Sequence, residues 1–305
     1  MANEVSYSTL LSNGGRVSKV LSQLLHESLY DPTGLRALMK FIPYSPMGSS
    51  TMNVTKATRG AVAAAASSET SGGFANTALT TGNYDLVIAR YGLVMKPTDL
   101  MKLTGGVLNV EYIISILTES LDLTLTDLLT ALFANIAGNV GTSGADLSVD
   151  DFFDAIYYLN LQNNPAGFAA VLHPQQINDL IESVRSEAGP MQWRSDAQGL
   201  LTAPGVGFRG QFAGVAVYQS DSVATANAGA DRQGCMFGDA FAYTLAPVSS
   251  MDPMINPADI VVATSEMFVE RSRTAADGLT ALIANFYPGT AEAEDLRGVK
   301  ITTDA

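Results

Sequence analysis

Apolar residues recur at Val110, Ile114, Leu117, Leu121, Leu125, Leu128, Leu132 and Ile136, in steps of four and three. That spacing places them on one stripe of a helix and predicts a single long amphipathic element over 107–137. At about 1.5 Å per residue the element would be a rod of about 45 Å. The mean helix has only about 11–12 residues. Ahead of it, TMNVTKA (51–57) and YDLVIARYGLVM (84–95) alternate apolar and polar positions and predict two strands. The segment between them is rich in Ala, Ser, Thr and Gly, which predicts a long hairpin with a poorly anchored tip.

The first fifty residues show one short helical pattern at Val17, Val20, Leu21, Leu24, Leu25 and Leu29, ended by Tyr30-Asp31-Pro32. Pro43, Pro46 and Gly48 then keep the chain extended, so this stretch reads as an arm. From residue 148 the texture becomes α/β. Ser148-Val149-Asp150-Asp151 reads as a capping box opening the helix DDFFDAIYYLNLQ. The strand FAAVLH follows, and Pro174 opens a second helix, PQQINDLIESVRSE. Residues 189–214, with Trp193, read as a glycine-rich loop. The later candidate strands are VAVYQS, CMFGDAFAYTLA, IVVATSEMFVERSR, LTALIANFYP and GVKITT.

Composition changes the picture in one respect. Charged residues make up 15% of the 305 and apolar residues 47%, against about 25% charged in an average soluble protein. Mean hydropathy is +0.17. Such a chain either enters a membrane or buries much of its surface on other subunits. The best candidate span carries Glu111, Glu119, Asp122 and Asp127, each costing about 2.5–3.5 kcal/mol near a bilayer centre. No secretory pattern opens the chain. Extensive self-association is the expectation that remains.

The net charge of −13 argues against tight nucleic-acid binding, which needs cations to displace counterions from phosphates. Cys235 is the only cysteine, so an intrachain disulfide and a cysteine metal cluster are both excluded. No phosphate-binding loop, dinucleotide fingerprint or HExxH pair is present.

Several residues are of types that carry chemistry elsewhere, and their settings give them structural readings here. Glu111, Glu119 and Asp122 are expected on a solvated or partner-facing helix surface, and Asp150, Asp151 and Asp154 are expected to cap a helix. Of the two histidines, His26 and His173, the latter is expected to pack at a helix start. Gly238-Asp239 reads as a turn, and Glu270, Arg271 and Arg273 as a charged strand. The expectation is no catalytic, cofactor-binding or metal site, and no enzyme activity.

Segment order then carries a resemblance. Val171-Leu172-His173-Pro174 leads into Gln175-Gln176-Ile177-Asn178-Asp179-Leu180, and Phe237-Gly238-Asp239-Ala240-Phe241 precedes a late strand containing VERSR. With the arm, hairpin and long helix before them, these pieces resemble the major capsid protein of tailed bacteriophages, the Hong Kong 97-type fold, from about residue 15 to 302. The resemblance implies an α+β fold in five parts. Residues 1–50 would be an N-terminal arm and 51–97 an extended E-loop. Residues 98–147 would hold the spine helix of a peripheral domain, and 148–247 an axial domain. Residues 248–305 would return to the peripheral domain as strands under the spine helix.

The implied function is a head protein that self-assembles, through hexamers and pentamers, into an icosahedral shell around double-stranded DNA. Implied partners are a portal, decoration proteins and either a separate scaffolding protein or none. The shell would reside in the virion and be made in the host bacterial cytoplasm. The 106 residues before the long helix leave room for arm and E-loop alone, so a mature N-terminus near Met1 is expected. No Lys–Asn cross-linking pair is expected. The alternatives are an encapsulin-type nanocompartment shell, a soluble α/β enzyme with a helical insertion, and a surface adhesin, the last disfavoured by the absence of repeats.

Overall fold

The computed structural model describes residues 4–5, 35–45, 49–57, 81–99, 110–162, 164, 167–186, 208–246, 260–263, 267–274 and 278–304. The helical pattern at 17–29, His26, the hairpin tip at 58–80 and the 187–207 part of the glycine-rich segment, with Trp193, lie outside them.

The helices are α1 (Leu35–Leu38), α2 (Val110–Ala131), α3 (Val149–Leu161) and α4 (Pro174–Ser186). The first strands are β1 (Glu4–Val5), β2 (Lys40–Phe41), β3 (Thr51–Ala57), β4 (Thr81–Ile88), β5 (Tyr91–Pro97) and β6 (Asn139–Val140). There follow β7 (Ala169–Leu172), β8 (Phe208–Phe212), β9 (Val215–Gln219), β10 (Thr225–Ala226), β11 (Asp231–Phe237) and β12 (Phe241–Leu245). The last are β13 (Ile260–Ala263), β14 (Met267–Thr274), β15 (Leu279–Phe286), β16 (Pro288–Glu292) and β17 (Gly298–Asp304).

These strands form three sheets among the described residues. Sheet I runs β1-β5-β15-β14-β13. Sheet II runs β6-β17-β11-β7-β9-β8, with β10 also on β11. Sheet III runs β2-β12-β16-β4-β3.

The long helix packs on β5 and β15 of sheet I, and its buried line differs from the expected one. Ile113, Leu117, Leu121, Leu125 and Leu129 are buried, whereas Leu128 is only half-buried. Uniform steps of four overshoot a full turn by about 40° each, so the buried line winds by about 160° from Ile113 to Leu129. The reason lies in what surrounds the helix. Leu282, Ala284 and Phe286 of β15, Leu35 and Met39 near α1, and Val223 all join the same core cluster. At its far end Thr130 donates to the Ser222 carbonyl at 2.7 Å. Regular α-helix stops at Ala131, and a tighter 3-10 turn, Leu132–Asn135, buries Phe133 against Phe237 and Phe241. Residues 107–109 lie outside the described set.

Two predicted strands prove to be pairs. YDLVIARYGLVM divides at Ala89-Arg90, sending β4 into sheet III and β5 into sheet I. IVVATSEMFVERSR divides into β13 and β14, which pair antiparallel. Each junction leaves only a short mark in the sequence, a one-residue slip of the apolar phase from Leu86 and Ile88 to Tyr91 and Leu93 in the first and the polar Thr264-Ser265-Glu266 in the second. Gly238-Asp239, like Ala89-Arg90, is a switch between sheets, with β11 in sheet II and β12 in sheet III. The loop reading of 189–214 is corrected at its end, where Phe208–Phe212 forms edge strand β8 with inward Phe208 and Phe212.

Sheet II is a layered unit. α3 and α4 cover one face, burying Phe152, Ala155, Leu159, Ile177 and Leu180 against Ala170, Val217, Met236 and Ile301. Its other face, through Val171, Cys235 and Phe237, joins the core around α2. The latest strand in the sequence, β17, lies inside this sheet between β6 and β11. Gly141, at φ +86°, turns the chain after β6 so closely over β17 that a Cβ would lie 2.5 Å from the Thr302 carbonyl oxygen.

Candidate assembly surfaces

The residues weighed as chemistry sit on separate elements, each in a local setting. His173 begins α4, and its Nδ1 accepts from the Gln175 amide at 3.3 Å. The Gln176 side chain reaches back to accept from the His173 amide at 3.1 Å, so His-Pro-Gln-Gln is a reciprocal cap of the helix. Burial pushes the His173 pKa below its ordinary value, Arg232 pushes the same way and Asp221 opposes. The ring is held in the neutral form that can accept.

The acids at the start of α3 also do capping work. Ser148 Oγ accepts from the Asp151 amide at 3.1 Å and Asp151 Oδ2 accepts from the Ser148 amide at 3.2 Å. Asp150 lies in the first turn, where the helix dipole favours it, and Asp154 is exposed one turn later. Asp122 of α2 pairs with Arg36 of α1, and Glu119 is half-buried. The side chain of Glu111 lies outside the described set.

Asp239 occupies the turn between sheets at φ 58°, with Oδ2 3.6 Å from Arg297 Nη1. Arg273 forks onto Asp99 at 3.3 and 3.0 Å, while Arg271 is exposed and Glu270 half-buried. Cys235 is fully buried, and burial pushes its thiol pKa well up, which keeps it in the unreactive thiol form. Among the described residues no group of three His, Cys, Asp or Glu is placed to hold a metal ion, and no helix is long and apolar enough to cross a membrane.

Two polar hubs escaped the sequence reading. The Gln176 amide, fully buried, donates to the carbonyls of Arg232 and Ile301 at 3.3 and 3.2 Å and to Thr303 Oγ1 at 2.7 Å. It ties α4 to β11 and β17, and it packs so near Gly234 that a Cβ there would lie 2.7 Å from its oxygen. A Gln two places after Pro at a helix start signals a cap, but its distant partners leave no local trace. Asp231 is likewise buried, accepting from Gly144 N at 3.1 Å and from Asn227. A hydrogen bond with Ser143, then those from Asn227 and Gly144, holds its carboxyl below the usual range against the opposing effect of burial.

The surfaces contrast with this interior. Among the described residues the buried cluster around the β3–β4 hairpin is Met52, Leu86 and Ala291. The hairpin is pinned by Lys56, whose Nζ donates to the Ala293 carbonyl at 2.6 Å and to Glu294 Oε2 at 3.0 Å. An acidic cleft of about 400 Å³ opens between residues 146–148 and α4, lined by Asp146, Asp179 and Glu182 among others. Burial first, then Asp146, Glu182 and Asp304, pushes the Asp179 pKa up. Large apolar side chains also stand uncovered, foremost Tyr157 and Leu161 on α3 and Val87 and Phe41 in sheet III. What this geometry offers is surface for association.

Comparison with solved structures bears on what kind of association. The head structure of Helicobacter pylori bacteriophage KHP40 superposes with a TM-score of 0.67 at 9% identity, covering 98% of each chain. The chain has the capsid-protein fold of tailed phages. The capsid of cyanophage P-SCSP1u matches at TM-score 0.64 and 11% identity, over 91% of this chain and 90% of that one. The holo-SrpI encapsulin complex from Synechococcus elongatus PCC 7942 matches at TM-score 0.65 and 12% identity, over 98% and 95%. No family model and no curated protein matches the sequence. The α+β capsid fold expected from segment order is therefore the fold observed, at identities that sequence comparison does not detect.

Proposed function

We propose that this chain is a major capsid protein that self-assembles into an icosahedral shell enclosing double-stranded DNA. The observation that carries the reading is the match to a phage head structure over 98% of each chain at a TM-score of 0.67. Supporting it are the low charge of 15%, the thinly cored hairpin and the uncovered apolar side chains. All are expected of a subunit that completes its burial on neighbours.

Within this reading residues 1–50 form the N-terminal arm and 51–97 the E-loop. Residues 98–147 contribute α2 as the spine of the peripheral domain, 148–247 form the axial domain, and 248–305 supply the remaining strands. Copies associate as hexamers and pentamers, with portal, scaffolding and decoration proteins as further partners, and the shell resides in the virion. The net charge of −13 suits a wall that must not hold its packaged DNA tightly, since like charges repel.

The encapsulin-type shell is the second reading, and the encapsulin match of similar quality favours it. Expression of the full chain, alone and with neighbouring phage genes, followed by negative-stain electron microscopy, tests the class. Closed polyhedral shells are expected. A persistently monomeric chain would overturn both shell readings, and particles filled with a cargo enzyme instead of DNA would select the encapsulin one.

A further inference from the structure

The turn between β6 and α3, residues 141–148, is tethered at every second or third residue. Gly141 crosses close over the Thr302 carbonyl. The Gly144 amide donates to Asp231 Oδ1 at 3.1 Å, and the Ala145 carbonyl accepts from the Asp304 amide at 2.9 Å. The Leu147 amide donates to Asp179 of α4. At the start of α3 the Val149 amide donates to Ser183 Oγ at 3.1 Å. One short turn thus joins β11, β17, α3 and α4.

Two of the tethers are carboxylates, in opposite settings. Asp231 accepts from Gly144 and Asn227 and is hydrogen-bonded with Ser143, and such donors favour the ionised form. Asp304 stands opposite it in the β11–β17 register. Asp179 is placed against its own charge. Its Oδ2 is buried with no hydrogen-bond partner among the described residues, beside the cleft lined by Asp146 and Glu182. Asp146 comes from the turn, Glu182 from α4 itself and Asp304 from the end of β17, and all three act on it. Asp151 of α3 is engaged by the Ser148 amide. Among the described residues the Leu147 amide is what favours the charge of Asp179. An ionised oxygen buried without a donor, among like charges, is costly. A proton removes that charge and offers the neighbouring carboxylates a donor.

We propose that this turn is a proton-operated clamp on sheet II, closed while Asp179 holds a proton and Asp231 is ionised, and loosened when Asp179 ionises. The two groups titrate apart. Hydrogen bonds keep the Asp231 carboxyl below its ordinary value, so it stays charged at every pH above that value. Burial first, then Asp146, Glu182 and Asp304, hold Asp179 above it. A proton bound more tightly by the folded chain stabilises the fold at low pH, and that contribution is lost as the pH rises through the native value. His173, at the start of α4, acts with the opposite sign and cancels when a variant is compared with the parent chain.

The clamp belongs to the single chain and is tested on it, without shells. Hydrogen exchange of peptides covering 141–149 is followed by mass spectrometry from pH 4.5 to 7.5, each rate corrected for the intrinsic pH dependence of exchange. In the parent chain the corrected rate should rise about tenfold across that range, with peptides from β9 unchanged. Asp179→Asn keeps an acceptor for Leu147 without a charge, and should hold the slow rate at every pH. Asp146→Asn, at an exposed position, should move the rise to lower pH. A flat rate in the parent chain, or a rise that survives in Asp179→Asn, overturns the clamp and leaves the capsid reading standing. Should Asp179→Asn fail to fold, an unmoved rise in Asp146→Asn overturns it equally.

Discussion

Sheet II and sheet III teach different lessons about how this chain is held together. Sheet II is covered by two helices, tied by Gln176 at its centre and continuous with the core around α2. Among the described residues sheet III keeps a separate cluster of three buried apolar residues where it receives the β3–β4 hairpin, and the half-exposed Lys56 fastens the hairpin to Glu294. The first is stabilised within one chain. The second, on the capsid reading proposed above, would be completed by neighbouring copies.

The sharpest way to break that contrast is a matched pair of cavities. Phe152→Ala empties a fully buried site against Phe212, 5.2 Å away, and should cost about 3–5 kcal/mol in urea unfolding of the unassembled chain. Leu86→Ala in the hairpin sheet should cost nearer the low end of about 2–5 kcal/mol, because its cluster is small. Equal losses would mean the hairpin is as well supported as the layered sheet.

Next in size is the polar hub. Gln176→Ala strands Thr303 and the carbonyls of Arg232 and Ile301, and should cost about 1–3 kcal/mol. Hydrogen exchange should rise in β11 and β17 and stay unchanged in β3 and β4.

A pH series tests the cap of α4. The native pKa of His173 lies below its unfolded value of about 6.5, so the unfolded chain binds the proton more tightly. Stability should therefore be full above about pH 6.5 and fall as the pH drops from there toward the native value. His173→Asn, which keeps an acceptor at the cap, should flatten that slope in melting curves at pH 7 and pH 5. An unchanged slope would remove the neutral ring from the account.

The smallest expected effect is Lys56→Met. A pair this exposed is worth under about 1 kcal/mol to the single chain, so its melting point should barely move. Limited proteolysis of the hairpin should nevertheless quicken. A large drop in melting point would show that the hairpin carries more of the subunit than its core suggests.

Much of this was legible in the sequence where local signals sufficed. Ser148 and Asp151 announced the start of α3, Pro174 that of α4, and spacing alone announced α2. What failed was what depends on partners far along the chain. Leu129 replaces Leu128 in the core because several segments clasp the helix, and no window of sequence holds them all. The change of sheets at Ala89-Arg90 left only a one-residue slip in the apolar phase, from Leu86 and Ile88 to Tyr91 and Leu93, since each sheet demands the same period of two. The exposed face of α3 leaves a trace in the sequence. Phe153, Tyr157 and Leu161 repeat at four on one phase while Phe152, Ala155 and Leu159 repeat on another, and one core uses only one phase. Asp150 and Asp151 stand in the first turn of α3, where the capping box placed them, whereas Asp154 lies one turn further on, and the hub at Gln176 needed three dimensions.

The position of β17 sets a timetable for synthesis. Sheet II begins with β6 near residue 139, yet it lacks the strand between β6 and β11 until residues 298–304 are made. At about 5–20 residues per second, a nascent chain spends on the order of ten seconds or more with that gap open. During this interval β6 has no neighbour in the sheet, and β11, once made, has β7 and β10 but not β17. A ribosome-bound fragment thus cannot present a finished subunit to its neighbours, and translation itself separates folding from assembly.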